Sequence, residues 1–276
     1  MRKNILFGTP KWNDWIPSII NLKNTKNIKN IYLNDLNNIN DIFNLIKNNE
    51  VTLIIPCTFE QMKFLTENKI ENAICNDSHN KIELLDNKYE FINFVISNNM
   101  VDVIPKVYKM KNGNVTKILN ENYKFPVIYK YPIAYAGEGS KVCHSIEEVD
   151  LIINLSQNDY IIQEYIINNI EYGGHMFIKD GYIKYSIYYS IKNDDKYYIQ
   201  YGKMQNYVRV LNFKKEYESI FENIFKTINF TGFVCINFKI INDSVKIFEV
   251  NPRFGGTLLS NRKDFAEMME NVIKFY

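Results

Sequence analysis

The chain has 276 residues, 46% of them hydrophobic and 23% charged, enough for one large domain or two small ones around a real core. Its 33 Lys and Arg nearly cancel its 31 Asp and Glu, for a net charge of +2; that excludes the basic excess with which a nucleic-acid binder neutralises phosphates. The basic start MRKNILFGTPKWNDW carries no long apolar run, and no stretch of about 20 apolar residues follows to cross a membrane, so the expectation is a soluble, cytoplasmic protein that meets neither nucleic acid nor lipid.

NILFG (Asn4–Gly8) is a short apolar run ending at a turn residue, and NIKNIYLN (Asn27–Asn34) holds a second. Apolar residues at helical spacing follow over Asn38–Asn49, with Asn38 or Asn40 placed to cap them. Val51–Pro56 reads as a β-branched strand stopped by proline, and Phe59–Lys69 as another helix. This alternation predicts a small parallel sheet covered by helices. No Gly-x-Gly-x-x-Gly follows the first strand, so a dinucleotide site there is not supported. Near Asp86 the character changes. Asp86–Asn99 reads as a helix and VDVIPKVYKM as an extended run. From Phe125 the pattern is mostly strands: FPVIYKYP, SKVCHS, YIIQEYI, YGGHMFIKDGYIKYSIYY and KYYIQYGK. Asp180–Gly181, between two apolar runs, is a hairpin signal. Lys214–Phe230 returns to helical spacing, and Thr231–Phe254 reads as two strands joined at Asn242–Ser244.

The richest stretch is FEVNPRFGG, Phe248 to Gly256. Strand alternation puts Glu249 and Asn251 on one face, and a hairpin brings Asn237 across from Glu249. Carboxylate and amide oxygens suit Mg²⁺, Arg253 offers a fixed fork of donors for phosphate or carboxylate, and Gly255 and Gly256 let backbone come close to a ligand. A strand end with an ion-paired Glu and a turn would account for the same residues. In KYPIAYAGEGSKV, a strand delivers Lys130 to a loop with Gly137, Gly139, Ser140 and Lys141, the materials of a phosphate cradle or of an ordinary hairpin loop. In IIQEYIINNIEYGGH, Gln163 and Glu164 end an apolar run and Glu171 lies seven residues beyond Glu164. Backbone there could meet a purine edge and a carboxylate could take both ribose hydroxyls; plain exposed Glu residues fit as well. The Tyr- and Lys-rich stretch Lys184–Arg209 offers Lys203 and Arg209 as phosphate or carboxylate contacts, or solvated strand faces. The four Cys form no Cys-x-x-Cys pair and read as reduced, packed thiols; three scattered His argue against zinc.

The order Asp86–Lys88, Lys130 with its glycine loop, Gln-Glu-Tyr-Ile with Glu171, Asn237, then Glu-Val-Asn-Pro-Arg resembles the ATP-grasp superfamily. It resembles most the carbamoyl-phosphate-synthase-like, carboxylate–amine ligase branch, over roughly residues 82–260. The resemblance implies an α/β and α+β fold. Residues 1–85 would form a small parallel pre-ATP-grasp domain. Residues 86–276 would form the ATP-grasp domain, with a lid at about 107–165 and a C-terminal subdomain at about 166–276. It implies that Lys88 and Lys130 contact the phosphates of ATP and that Gly137, Gly139, Ser140 and Lys141 close over them. Gln163, Glu164, Tyr165 and Ile166 would face the adenine and Glu171 the ribose. Asn237, Glu249 and Asn251 would hold Mg²⁺, with Mn²⁺ as a substitute. Arg253 and Lys130 would act on the transferred phosphoryl group. The reaction implied activates a small carboxylate as an acyl phosphate for an amine, with a kinase or a non-catalytic nucleotide-binding module as alternatives, and a homodimer as a frequent assembly. The chain departs from the pattern at Asn237, where many members carry an acid or Gln, and at Tyr131, which separates Lys130 from Pro132. With Tyr276 lying soon after the signature, the expectation is a chain without the extra C-terminal domain of some relatives.

Overall fold

A computed structural model describes residues 2–74, 79–134, 137–156, 158–195, 197, 199 and 207–276. The first unit alternates β1 (Lys3–Gly8), α1 (Ile16–Asn21), β2 (Ile28–Asn34), α2 (Ile39–Asn49), β3 (Leu53–Ile55) and α3 (Phe59–Glu67). Its strands form a parallel sheet in the order β2-β1-β3, as the alternation predicts. Asn38 caps α2: its side chain accepts from the amides of Asn40 and Asp41 at 2.9 and 3.4 Å. Thr58 and Gln61 form a capping box on α3.

Two helices follow, α4 (His79–Asp86), which the sequence reading lacks, and α5 (Lys88–Ser97). Between them Asn87 caps α5, accepting from Tyr89 and Glu90. The extended run expected after Asn99 begins instead with a single 3-10 turn, Val101–Val103.

The second sheet is antiparallel, in the order β5-β4-β8-β6-β7. Its strands are β4 (Val107–Asn112), β5 (Val115–Ile118), β6 (Val127–Lys130), β7 (Lys141–Cys143) and β8 (Tyr160–Glu164), with α6 (Ile146–Leu155) between β7 and β8. A core of its own joins Tyr108, Val127, Tyr129, Tyr160 and Ile162 to Val149 of α6.

The third sheet, also antiparallel, runs β11-β10-β9-β12-β13. It consists of β9 (Ile170–Lys179), β10 (Tyr182–Lys192), β11 (Tyr207–Val210), β12 (Gly232–Ile241) and β13 (Ser244–Asn251), with α7 (Lys215–Ile228) before β12 and α8 (Gly256–Ser260) and α9 (Arg262–Val272) after β13. The β9–β10 turn falls on Asp180 and Gly181, both at positive φ, as the Asp-Gly pair demands. The strand expected over KYYIQYGK lies mostly outside the described residues.

The third sheet organises the molecule. One face buries Val234, Ile236 and Phe238 against α5 and α7 through Ile92, Val95, Phe221 and Phe225. The other gathers Phe177, Tyr189 and Phe233 with Phe265, Met268 and Met269 of α9 and with Ile5, Phe7 and Ile55 of the first sheet. Among the described residues each sheet has one buried cysteine on or beside it: Cys57 just past β3, Cys143 at the end of β7, Cys235 on β12.

Candidate active site

The floor of the site is the β12–β13 hairpin. Asn237 lies opposite Glu249 and Cys235 opposite Asn251. Between Asn237 and Phe238 the register slips, so that Phe248 has no partner in the ladder. Such a bulge leaves backbone groups unpaired, and the Phe248 carbonyl accepts from Lys130 Nζ at 3.2 Å. Lys130 reaches it from the end of β6. Lys88 arrives differently, as the first residue of α5, its amide held by Pro132 O at 3.0 Å. Lys88 Nζ stands 2.7 Å from Glu249 Oε1. Arg253 follows β13, donating to Asn251 Oδ1 at 2.8 Å and to Asp86 at the end of α4. Cations from α5, β6 and the segment after β13 thus alternate with acceptors from α4 and β13.

These charges set one another's ionisation. Burial first and Lys88 second push Lys130 down, against the pull of Glu249, to about 7. Burial also drives Glu249 upward, but the neighbouring Lys88, Arg253 and Lys130 outweigh it and hold the carboxyl below its usual range.

A second group gathers at the end of β8. Gln163 donates to Pro105 O at 3.4 Å, while its Oε1 is buried without a partner among the described residues. Glu164 accepts from the Lys106 amide at 3.4 Å. Buried Lys239 of β12 donates to Ile166 O at 3.0 Å, its ammonium 5.0 Å from the Tyr165 ring centroid. Glu171 on β9 is buried, and that burial, offset in part by Lys239 and reinforced by Glu249, leaves it pushed up to about 7.

Both groups line one cavity of about 340 Å³, within the range that holds small ligands. Lys88, Lys130, Gly137, Ser140, Gln163, Glu164, Tyr165, Ile166, Glu171, Asn237, Glu249, Asn251 and Arg253 all border it. Gly139 and Lys141 do not. Gly139 sits at φ +66° against the Tyr131 ring, where a Cβ would come within 2.0 Å of Cδ2, and Lys141 opens β7 with an exposed side chain. Arg209 is a correction: it is spent on structure. It binds Asp264 at 2.8 Å and Glu267 at 2.6 and 2.7 Å, fastening β11 to α9, because the carboxylates of α9 come back over this strand. Lys203 lies outside the described residues. Lys239, Cys235, Trp12, Trp15, Thr257 and Ser260 also border the cavity without having been singled out in the sequence.

The donor set fits a magnesium nucleotide. One carboxylate and two amide oxygens on facing strands are hard ligands, three cations surround them, and the buried Gln163 Oε1 is an acceptor awaiting a donor.

No protein-family model and no curated protein matches the sequence. Solved structures do. The D-alanine–D-alanine ligase of Bacillus anthracis complexed with ATP superposes with a TM-score of 0.63 at 14% identity, over 99% of this chain and 96% of that one. The L-amino acid ligase of Bacillus licheniformis gives 0.63 at 12%, over 94% and 69%. The biotin carboxylase domain dimer of the 2-oxoglutarate carboxylase of Hydrogenobacter thermophilus, in complex with MgADP, ADP and bicarbonate, gives 0.59 at 16%, over 94% and 65%. At these identities the likeness is one of fold.

Proposed function

We propose that this chain, which has the ATP-grasp fold, is an ATP-dependent ligase that activates a small carboxylate as an acyl phosphate for attack by an amine or similar nucleophile. The observation that carries the reading is the convergence of Lys88, Lys130, Glu249, Asn251 and Arg253 on one cavity, bordered also by Gln163, whose amide oxygen has no partner among the described residues. In this reading residues 1–85 form a pre-ATP-grasp unit and residues 86–276 the nucleotide-binding unit. Gln163 to Ile166 meet the base and Glu171 the ribose. Lys88 and Lys130 hold the phosphates, and the segment from Gly137 to Lys141 covers them. Glu249 and Asn251, with Asn237 opposite Glu249, would hold the metal, which would supply neutralisation of phosphate charge.

Catalysis here is positioning and electrostatics. Lys88 exchanges its contact with Glu249 for a phosphate oxygen. Arg253 is already oriented by Asp86 and Asn251, so its guanidinium is preorganised to steady the group in transfer. A cavity partly walled by buried residues keeps water from the activated acid.

The test is phosphate release from ATP with Mg²⁺, screened with pools of amino acids and other small acids together with amines. Stimulation by a pool is expected. Glu249→Gln should lose that release by at least about 100-fold with an unchanged circular dichroism spectrum. A phosphorylated alcohol as product would make the chain a kinase, and nucleotide binding without release from any pool would make it a binding module.

A further inference from the structure

The chain has two tryptophans, and both border the cavity. They come from the segment after β1, the middle strand of the first sheet. Open parallel sheets bind ligands at the carboxyl ends of such strands. Here that end is tied down. Gln61 Nε2 donates to Thr9 O at 2.8 Å, and its Oε1 accepts from the amides of Cys57 and Thr58 at 2.8 and 3.1 Å. One amide side chain thereby laces the segment after β1 to the segment after β3. Only glycine leaves it room: a Cβ on Gly8 would lie 2.0 Å from Gln61 Oε1.

The laced segment leads into a 3-10 turn, Asn13–Trp15, that packs on α8. Trp15 is 7% exposed, and its ring edge lies 3.2 Å from where a Cβ on Gly256 would stand. Trp12 is 39% exposed and leans on Trp15, ring centroids 4.6 Å apart at 60°. An anchored indole therefore backs an open one, at the part of the cavity three residues past Arg253. A single exposed tryptophan is unremarkable. A pair of indoles, one of them anchored in the core, bordering the same cavity as Arg253 is a binding surface in the making.

We propose that Trp12 and Trp15 form a stacking wall for the acid that the ligase activates, and that this acid carries a planar, aromatic side group. The inference rests on the ligase reading above. The acid's carboxylate must meet the phosphoryl group beside Arg253, so the rest of it extends toward Gly256 and the indoles. Lys11 Nζ already stands 5.4 Å from the Trp12 ring centroid, so a cationic amine would meet like charge at the wall, whereas the neutral ring of the acid would not. Offset or tilted stacking on an indole should favour a ring over a methyl by about tenfold in affinity.

The experiment uses the full chain with Mg²⁺ and a non-hydrolysable ATP analogue. Phenylalanine and benzoate are titrated against alanine and acetate. Tryptophan fluorescence serves for the wild type and calorimetry for the variants Trp12→Ala and Trp12→Phe. The exposed Trp12 is chosen because Trp15 belongs to the core and its loss would disturb folding. Saturable quenching by the ring acids is expected, with dissociation constants at least about tenfold below those of the aliphatic acids. That advantage should vanish in Trp12→Ala and largely return in Trp12→Phe. Equal affinity for ring and methyl acids, no binding of either, or an unchanged ring preference in Trp12→Ala would overturn the wall. Phosphate release separates the two readings. Ring-selective binding without release keeps the wall and removes the ligase, and release driven only by aliphatic acids keeps the ligase and removes the wall.

Discussion

Two side chains at the site sit at the edge of their charge states. Glu171 is pushed up to about 7 and Lys130 down to about 7, in each case because burial disfavours the ion first. In the proposed reading Glu171 meets the ribose as a carboxylate anion and Lys130 meets phosphate as a cation. As pH falls through about 7, Glu171 takes a proton and loses acceptor strength; as pH rises through about 7, Lys130 loses its charge. Nucleotide affinity should therefore peak near neutrality and decline on both sides, by up to about tenfold per pH unit. Calorimetry across that range checks it, and Glu171→Gln should flatten the acid side alone. A bound polyphosphate raises Lys130 again, so binding above neutrality should take up a proton, visible as a heat that changes with the buffer's ionisation enthalpy.

The site's elements differ in how much of them could be read. α2, α3, α5 and α7 carry helical periodicity and β12–β13 carries strand alternation, so the facing of Asn237 and Glu249 was legible from local pattern. α6 was not, since its Ile- and Val-rich face resembles the strands around it. Yet Ser145 accepts from the Glu148 amide at 3.4 Å, and Ser-Ile-Glu-Glu is a capping signal that could have marked its start. α9 also begins on a cap, Asn261 accepting from Asp264 at 3.1 Å, unread beside the signature that precedes it. Lys239 was invisible for another reason: its acceptor, Ile166 O, is 73 residues away and only the fold brings them together. The slip at Phe248 likewise belongs to the ladder, not to local composition. Caps also have functional weight here. Asn87 fixes the first turn of α5, whose first residue is Lys88. Asn87→Ala should cost about 1 kcal/mol of stability and weaken nucleotide binding several-fold, while Asn87→Asp keeps both. Urea denaturation and a nucleotide titration would test this.

At the scale of the whole molecule, the first sheet shares its core with the third. Phe265 of α9 lies 6.3 Å from Phe7 and 5.2 Å from Phe254, ring centroid to ring centroid. The first unit leans on residues from the end of the chain, so these two sheets should unfold together. Phe265→Ala should destabilise both by about 3–5 kcal/mol in one transition, read by calorimetry and by amide exchange in β1 and β9. The second sheet has a core of its own with α6 on one face, around Tyr108 and Tyr129, while Val107, Met110 and Ile161 on the other join the core of α5 and the third sheet, so its α6 face is where it should open locally first. The buried cysteines make such local opening measurable without adding any probe. Burial pushes Cys57 and Cys235 up to about 12 and raises Cys143 as well, so each thiol is inert to alkylation while its surroundings stay closed. With these three thiols distributed over the three sheets, modification followed peptide by peptide times the opening of each layer. Cys143 should react first, Cys57 only with global unfolding, and Cys235, bordering the cavity, should be shielded further whenever a ligand is bound. The molecule carries its own clock for each of its layers.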